Sequence, residues 1–236
     1  MANDYFNFKQ FTIHQHRCAM KVGTDGTLLG AWANVPFERC RILDIGTGTG
    51  LIALMMAQRF PESSVVGVDI DEDAVGQATE NVMESPFSKR VSISLVDVKQ
   101  LTDTDGFDAI VCNPPYFINS LTCPNEQRAT ARHTITLSYE ILLQSASRLL
   151  NKDGLFSLII PSDSIPIFEK SARHEGFFPS RICRVKTTLK KSPMRQLIEY
   201  QKQPVNKLNI SEEVIEVSPN VRSPWYQHLT QAFYIK

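Results

Sequence analysis

From about residue 41 to residue 187 the sequence alternates short apolar runs with longer stretches of helical periodicity. Parallel strands must be joined by long crossovers, and a helix is the usual crossover, so this alternation is the mark of βαβ units wound about a mostly parallel sheet. Strands are expected at Arg41–Ile45, Val65–Val68, Val91–Leu95, Phe107–Cys112, Leu155–Ile160 and Arg181–Lys186, with helices at Leu51–Gln58, Glu72–Met83, Tyr139–Leu150 and Ile167–Glu175. Asp71, Glu72 and Asp73 open the second of these helices, where the helix dipole favours negative charge, and Gly154 and Gly176 follow the third and fourth. A seventh strand, Gln196–Gln201, follows Arg181–Lys186 across a short Lys-Lys-Ser-Pro turn and should run antiparallel to it. The expected fold is α/β and Rossmann-like: a mostly parallel seven-stranded sheet with an antiparallel last strand and helices on both faces.

With 236 residues, one large domain is the economical reading. Residues 1–40 form an N-terminal segment covering the site, 41–201 the core and 202–236 a C-terminal extension. The longest wholly apolar run, Leu51 to Ala57, is far shorter than the roughly 20 residues a membrane helix needs. The start, Met-Ala-Asn-Asp, has no basic targeting character, so a cytoplasmic protein is expected. Cys18, Cys40, Cys112, Cys123 and Cys183 include no C-x-x-C pair, which argues for reduced thiols and against a metal site or disulfide framework. Net charge is zero but unevenly spread: Glu62 to Asp108 holds eleven acids and three bases, Lys170 to Lys207 ten bases and two acids. The first stretch suits a cationic cofactor and the second a phosphate-bearing substrate.

Asp44-Ile45-Gly46-Thr47-Gly48-Thr49-Gly50 stands at the carboxyl end of the first core strand, where sheets of this kind bind nucleotides. Dinucleotide loops read G-x-G-x-x-G, whereas here Gly46, Gly48 and Gly50 alternate and Leu51 takes the last glycine's place. A carboxylate at Asp44 would repel a pyrophosphate but attract an amino acid bearing a sulfonium. Asp69, followed by Ile70, closes the second strand, where a carboxylate can accept from ribose hydroxyls; Asp97 and Val98 follow the third, placed to read an adenine edge. The three aspartates fall on one rim of the sheet. Upstream, Gly23 and Gly26 bracket Thr24 and Asp25 in an expected tight turn into a helix, a place suited to binding a carboxylate or phosphate. The aromatics Phe6, Phe8 and Phe11 are expected to pack. From Arg41 to Gln201 the sequence resembles the class I S-adenosylmethionine methyltransferases, which implies S-adenosylmethionine as cofactor and no metal.

The fourth strand ends in Asn113-Pro114-Pro115-Tyr116. Two prolines cannot continue a ladder, and Pro114 biases Asn113 to extended backbone, so the string is a stiff rim carrying an amide, bare carbonyls and a ring. It is similar to the motif of methyltransferases acting on adenine N6, guanine N2 or a glutamine amide. That resemblance implies that Asn113 and the Pro114 carbonyl accept the target amine's hydrogens and that Tyr116 stacks on a flipped base.

With Phe6-Asn7-Phe8-Lys9-Gln10-Phe11, Lys21 to Gly26 and Ala131-Arg132-His133 added, the whole chain resembles the bacterial tRNA1(Val) adenine-N6 methyltransferases, which implies a tRNA substrate and no obligate protein partner. Lys190, Lys191 and Arg195 at the last turn, with Arg132, are the candidate RNA contacts, extended by Arg181, Arg184 and Lys186. Glutamine methylation of release factors is the first alternative, but that family carries a long helical N-terminal domain. Guanine-N2 rRNA methyltransferases usually have Phe at the place of Tyr116. A noncatalytic cofactor-binding module is a remoter reading, and a nicotinamide-dependent reductase is disfavoured by Leu51.

Overall fold

The structure, a computed structural model, describes residues 3–18, 20–115 and 137–235. An N-terminal hairpin, β1 (Tyr5–Asn7) and β2 (Thr12–His14), precedes helix α1 (Thr24–Trp32). The core then runs β3 (Arg41–Ile45), α2 (Leu51–Arg59), β4 (Ser64–Asp69), α3 (Glu72–Met83), β5 (Val91–Leu95) and β6 (Phe107–Cys112). It continues with α4 (Tyr139–Leu149), β7 (Leu150–Pro161), α5 (Ile165–His174), β8 (Phe178–Thr188) and β9 (Arg195–Gln201), and closes with β10 (Asn209–Ser218), β11 (Val221–Arg222) and α6 (Pro224–Thr230).

The seven expected strands are β3 to β9. They lie in one sheet of order β11-β10-β8-β9-β7-β6-β3-β4-β5, in which β9 alone among the seven runs antiparallel to its neighbours β7 and β8. Residues after Gln201, expected as an extension outside the core, lengthen the sheet: β10 pairs parallel with β8 from Asn209 to Glu216, and β11 turns back on it. Gly154, expected to follow a helix, lies inside β7, which begins directly after α4. A bulge separates the Phe107–Leu150 and Ala109–Leu155 pairings, and a Cβ at Gly154 would stand 2.9 Å from the Asp108 carbonyl.

Local chemistry accounts for the helix starts. Asp71 caps α3 by accepting from the Asp73 N–H, and Ser138 caps α4 by accepting from that of Ile141. The expected tight turn at Gly23 to Gly26 is instead the start of α1: Gly23 is its cap, and Thr24, Asp25 and Gly26 form its first turn. Two small residues one turn apart explain how α1 seats on α2, since a Cβ at Gly26 would meet Leu51 at 3.2 Å and one at Gly30 would meet Met55 at 2.9 Å.

Apolar side chains bury both faces of the sheet. One cluster joins α1, α2, the N-terminal hairpin and Phe233 to Ile42, Val111 and Ile159; the other packs Leu142, Leu143, Phe168 and Tyr200 against Leu43, Ile110 and Leu158. Phe8 stacks on Phe11 with ring centroids 4.8 Å apart and on Tyr234 at 5.9 Å, tying the two chain ends together as packing. The order β4-β3-β6 reverses direction at β3, and the crevice at the carboxyl ends of β3 and β6 is where such a sheet leaves room for a ligand.

Candidate active site

That crevice is a cleft of about 1060 Å³. Of the residues singled out from sequence, Gly46, Gly48, Asp69, Ile70, Asp97, Val98, Asn113, Pro114, Pro115 and Arg195 line it. Tyr116 and Arg132 lie outside the described residues. The segment Met20 to Gly26 forms a further wall.

The loop between β3 and α2 turns on its three glycines. Gly46, Gly48 and Gly50 take φ of 69°, 54° and 80°, left-handed values that L side chains rarely adopt. A Cβ at Gly46 or Gly48 would project into open space, so the backbone there faces the cleft bare, whereas one at Gly50 would stand 3.3 Å from Ala78 Cβ. The alternating glycines therefore divide: two expose the loop and the third lets α2 pack on α3.

Asp44 lies beneath this loop and is not among the residues lining the cleft. Its side chain is fully buried; Oδ2 accepts from the Thr47 hydroxyl at 2.7 Å and the Ala53 N–H at 3.1 Å, bracing the loop to the start of α2. Oδ1 has no hydrogen-bond partner among the described residues. Burial pushes the carboxyl up to about 7 against the two donors, and the nearby Asp69 charge adds to the rise.

Asp69 is half-buried, and its orientation is set by backbone: Oδ2 accepts from Gly48 N–H at 2.9 Å, Oδ1 from Ile70 and Asp71 N–H at 2.8 and 3.1 Å. A carboxylate has about four acceptor sites, so roughly one is left beyond these three backbone bonds. Asp97 is engaged as well. Burial pushes its carboxyl up, but the Lys99 N–H at 3.0 Å and the Lys99 ammonium at 3.0 Å bring it below the usual value. Val98 is buried, and its carbonyl accepts from Arg148 at 2.9 Å, which fixes the rim beside Asp97. On the facing strand, Asn113 is half-buried, Pro114 buried and Pro115 exposed at the end of β6, so the rim carries its amide at the cleft wall.

The basic residues separate. Lys190 and Lys191 stand exposed in the β8–β9 turn, which projects from the cleft's side of the sheet because β9 starts opposite the end of β7, Arg195 against Pro161. Arg195 is no part of that exposed tip: it is in the cleft wall, ion-paired to Asp25 of α1. Arg181 and Lys186 are structural, Arg181 lying 3.6 Å over the Trp32 ring and 2.8 Å from Glu199, and Lys186 pairing with Glu212. Of the three basic residues of that strand, only Arg184 is exposed.

Sequence reasoning passed over Gln77 and Asn81. Both are buried on α3, where Asn81 accepts from His14 N–H and donates to the carbonyls of His14 and Thr49, linking the N-terminal hairpin to the glycine loop. A signal existed: two amides one helical turn apart occupy the face on which Ala74, Ala78 and Val82 are buried. Among the described residues no group of three His, Cys, Asp or Glu side chains could hold a metal, and no helix is long and apolar enough to cross a membrane.

Comparisons with known proteins give the family. Residues 25–164 match the model of the methyltransferase small domain family. The tRNA1(Val) (adenine(37)-N6)-methyltransferase of Phocaeicola vulgatus is 49% identical, over 100% of this chain and 99% of its own. The protein of that name from Vibrio parahaemolyticus is 42% identical over 98% of this chain and 95% of its own. Among solved structures, a predicted O-methyltransferase from Agrobacterium tumefaciens superposes with TM-score 0.68 at 19% identity, over 89% of this chain and 96% of that one, a likeness of fold alone. The chain belongs to the tRNA1(Val) (adenine(37)-N6)-methyltransferase family.

Proposed function

We infer that this protein transfers a methyl group from S-adenosylmethionine to the N6 amino group of adenine 37 in tRNA1(Val), in the cytoplasm. The observation that carries the reading is that the bare glycine loop and the Asn113-Pro114-Pro115 rim line one cleft in a chain 49% identical to an enzyme of that name.

The residues fit the cofactor. Gly46 and Gly48 offer open backbone, Asp69 an oriented carboxylate for ribose hydroxyls, and Asp97 with Val98 a rim for the adenine edge. Asp44 supports this site from below by holding Thr47 and Ala53. When bound, S-adenosylmethionine supplies an electrophilic methyl group on a sulfonium.

An exocyclic amine is a poor nucleophile because its lone pair is delocalised into the ring. The Asn113 side-chain oxygen and the Pro114 carbonyl accept its two N–H hydrogens and turn the lone pair toward the methyl donor. Nitrogen would form its bond to the methyl carbon as the S–CH3 bond breaks, leaving S-adenosylhomocysteine, and would release one proton to solvent. Orientation and hydrogen-bond polarisation supply the rate enhancement. Lys190 and Lys191, exposed on the same side of the sheet, hold RNA phosphates, and the base leaves its stack to reach Asn113.

The test is incubation with methyl-labelled S-adenosylmethionine and unmodified tRNA1(Val), then nucleoside analysis. Label in N6-methyladenosine, lost when adenine 37 is replaced by guanine, is expected. Label on a glutamine amide of added release factor, with none in tRNA, would overturn the reading.

A further inference from the structure

Helix α1 is held at its two ends by different chemistry. At the C-terminal end, Arg59 donates to the carbonyls of Gly30 and Ala33, and Arg181 donates to the Trp32 carbonyl at 3.1 Å while lying over the Trp32 ring. Two cations at a helix C-terminus satisfy terminal carbonyls and oppose the negative end of the dipole, so this end is firmly held. At the N-terminal end, Asp25 pairs with Arg195, 170 positions away on β9. Both side chains are mostly buried, at 19% and 23% exposure, and both line the cleft. Arg195 is also fixed from its own side, since β9 pairs there with Pro161 of β7 and Val185 of β8.

We propose that Asp25 and Arg195 are positioning residues that latch the first turn of α1, and the Met20–Gly26 wall leading into it, against the antiparallel side of the sheet, so that the cofactor cleft is closed before RNA docks. The latch works about the anchored end: breaking it frees the first turn while Arg59 and Arg181 keep the helix in place. The burial that raises the Asp25 carboxyl is opposed by the Arg195 charge, so each partner needs the other. Arg195 thereby leaves the group of RNA contacts to which its neighbours Lys190 and Lys191 belong. The inference rests on the methyltransferase reading only in taking the cleft as the cofactor's.

The experiment compares wild type, Arg195→Ala, Asp25→Asn and Arg195→Lys by calorimetric titration with S-adenosylhomocysteine, by amide exchange in NMR, and by KM for tRNA. Both charge-removing variants should bind S-adenosylhomocysteine about tenfold more weakly, because the closed state is less populated, and Arg195→Lys should fall between them and wild type. The Thr27 amide, bonded to the Gly23 carbonyl in the first turn, should exchange about tenfold faster or more, while the Ala33 amide, bonded to Leu29 at the anchored end, keeps its protection. Unchanged cofactor affinity and unchanged Thr27 exchange in Arg195→Ala would overturn the latch, and a raised KM for tRNA alone would reassign Arg195 to the RNA. Failure of the wild type itself to bind S-adenosylhomocysteine would instead overturn the cofactor reading. Collapse of Ala33 protection in both Arg195→Ala and Asp25→Asn would refute the two-ended attachment.

Discussion

Replacing Asp44 by asparagine should change how stability depends on pH, and by an amount that the burial of this side chain sets. The carboxyl is fully buried, has two donors on Oδ2 and none on Oδ1, and titrates at about 7 in the fold against an ordinary value near 3.8. Between those values the native state holds a proton that the unfolded chain has released, so stability falls as pH rises through the window and is level outside it. Each pH unit inside the window costs about 1.4 kcal/mol, roughly 4 kcal/mol in all. Asparagine keeps an oxygen for Thr47 and Ala53 and cannot ionise, but its NH2 group would occupy the unpartnered position, at a cost of about 1–3 kcal/mol. The variant should therefore be near wild type or slightly less stable at pH 5 and more stable at pH 8. The difference between the two proteins should move by about 3 kcal/mol over that span, whatever the amide costs. Urea unfolding of both proteins without cofactor, at several pH values, measures it. Parallel pH profiles for wild type and Asp44→Asn would refute the claim that Asp44 is driven toward its neutral form beneath the loop.

Asn113→Ala should abolish methyl transfer while S-adenosylhomocysteine affinity by calorimetry stays within about twofold of wild type, since the amide is assigned to the target amine. Asp69→Ala removes the acceptor of three backbone N–H groups as well as the ribose partner, and cofactor binding should weaken by about 1–3 kcal/mol; an unchanged dissociation constant would remove Asp69 from the cofactor site. A Lys190→Ala, Lys191→Ala double variant should keep cofactor affinity, bind tRNA more weakly and show a salt dependence shallower by up to about two units, read from filter binding across a salt series.

Much of the core was legible because its signals are local. Period and length gave seven strands and four helices close to their places, since a strand buried on both faces reads as a short apolar run and the acidic first turn at Asp71, Glu72 and Asp73 marks one helix start. The strands after Gln201 were missed because Asn209–Ser218 carries Glu212, Glu213 and Glu216 and much of it is not buried, leaving little periodic signal. Gly154 was misplaced because a glycine that admits a strand bulge looks, in sequence, like one that ends a helix.

The site divides in the same way. Gly46, Gly48, Asp69, Asp97 and Asn113 could be assigned to one rim because each lies at or within three residues of a strand's carboxyl end, and parallel strands bring those ends to one side. Sequence also determined the family, because Phe6-Asn7-Phe8-Lys9-Gln10-Phe11 near the N-terminus is distinctive where the glycine loop and Asn113-Pro114-Pro115-Tyr116 are shared more widely. What each charged group does there was decided by tertiary structure alone. Asp44 became a buried brace, Arg181 a support for Trp32, and Arg195 the partner of a residue 170 positions earlier, while Lys190 and Lys191 beside it stayed in solvent. A charge takes its role from its burial and its partners, and those are fixed only when distant segments pack.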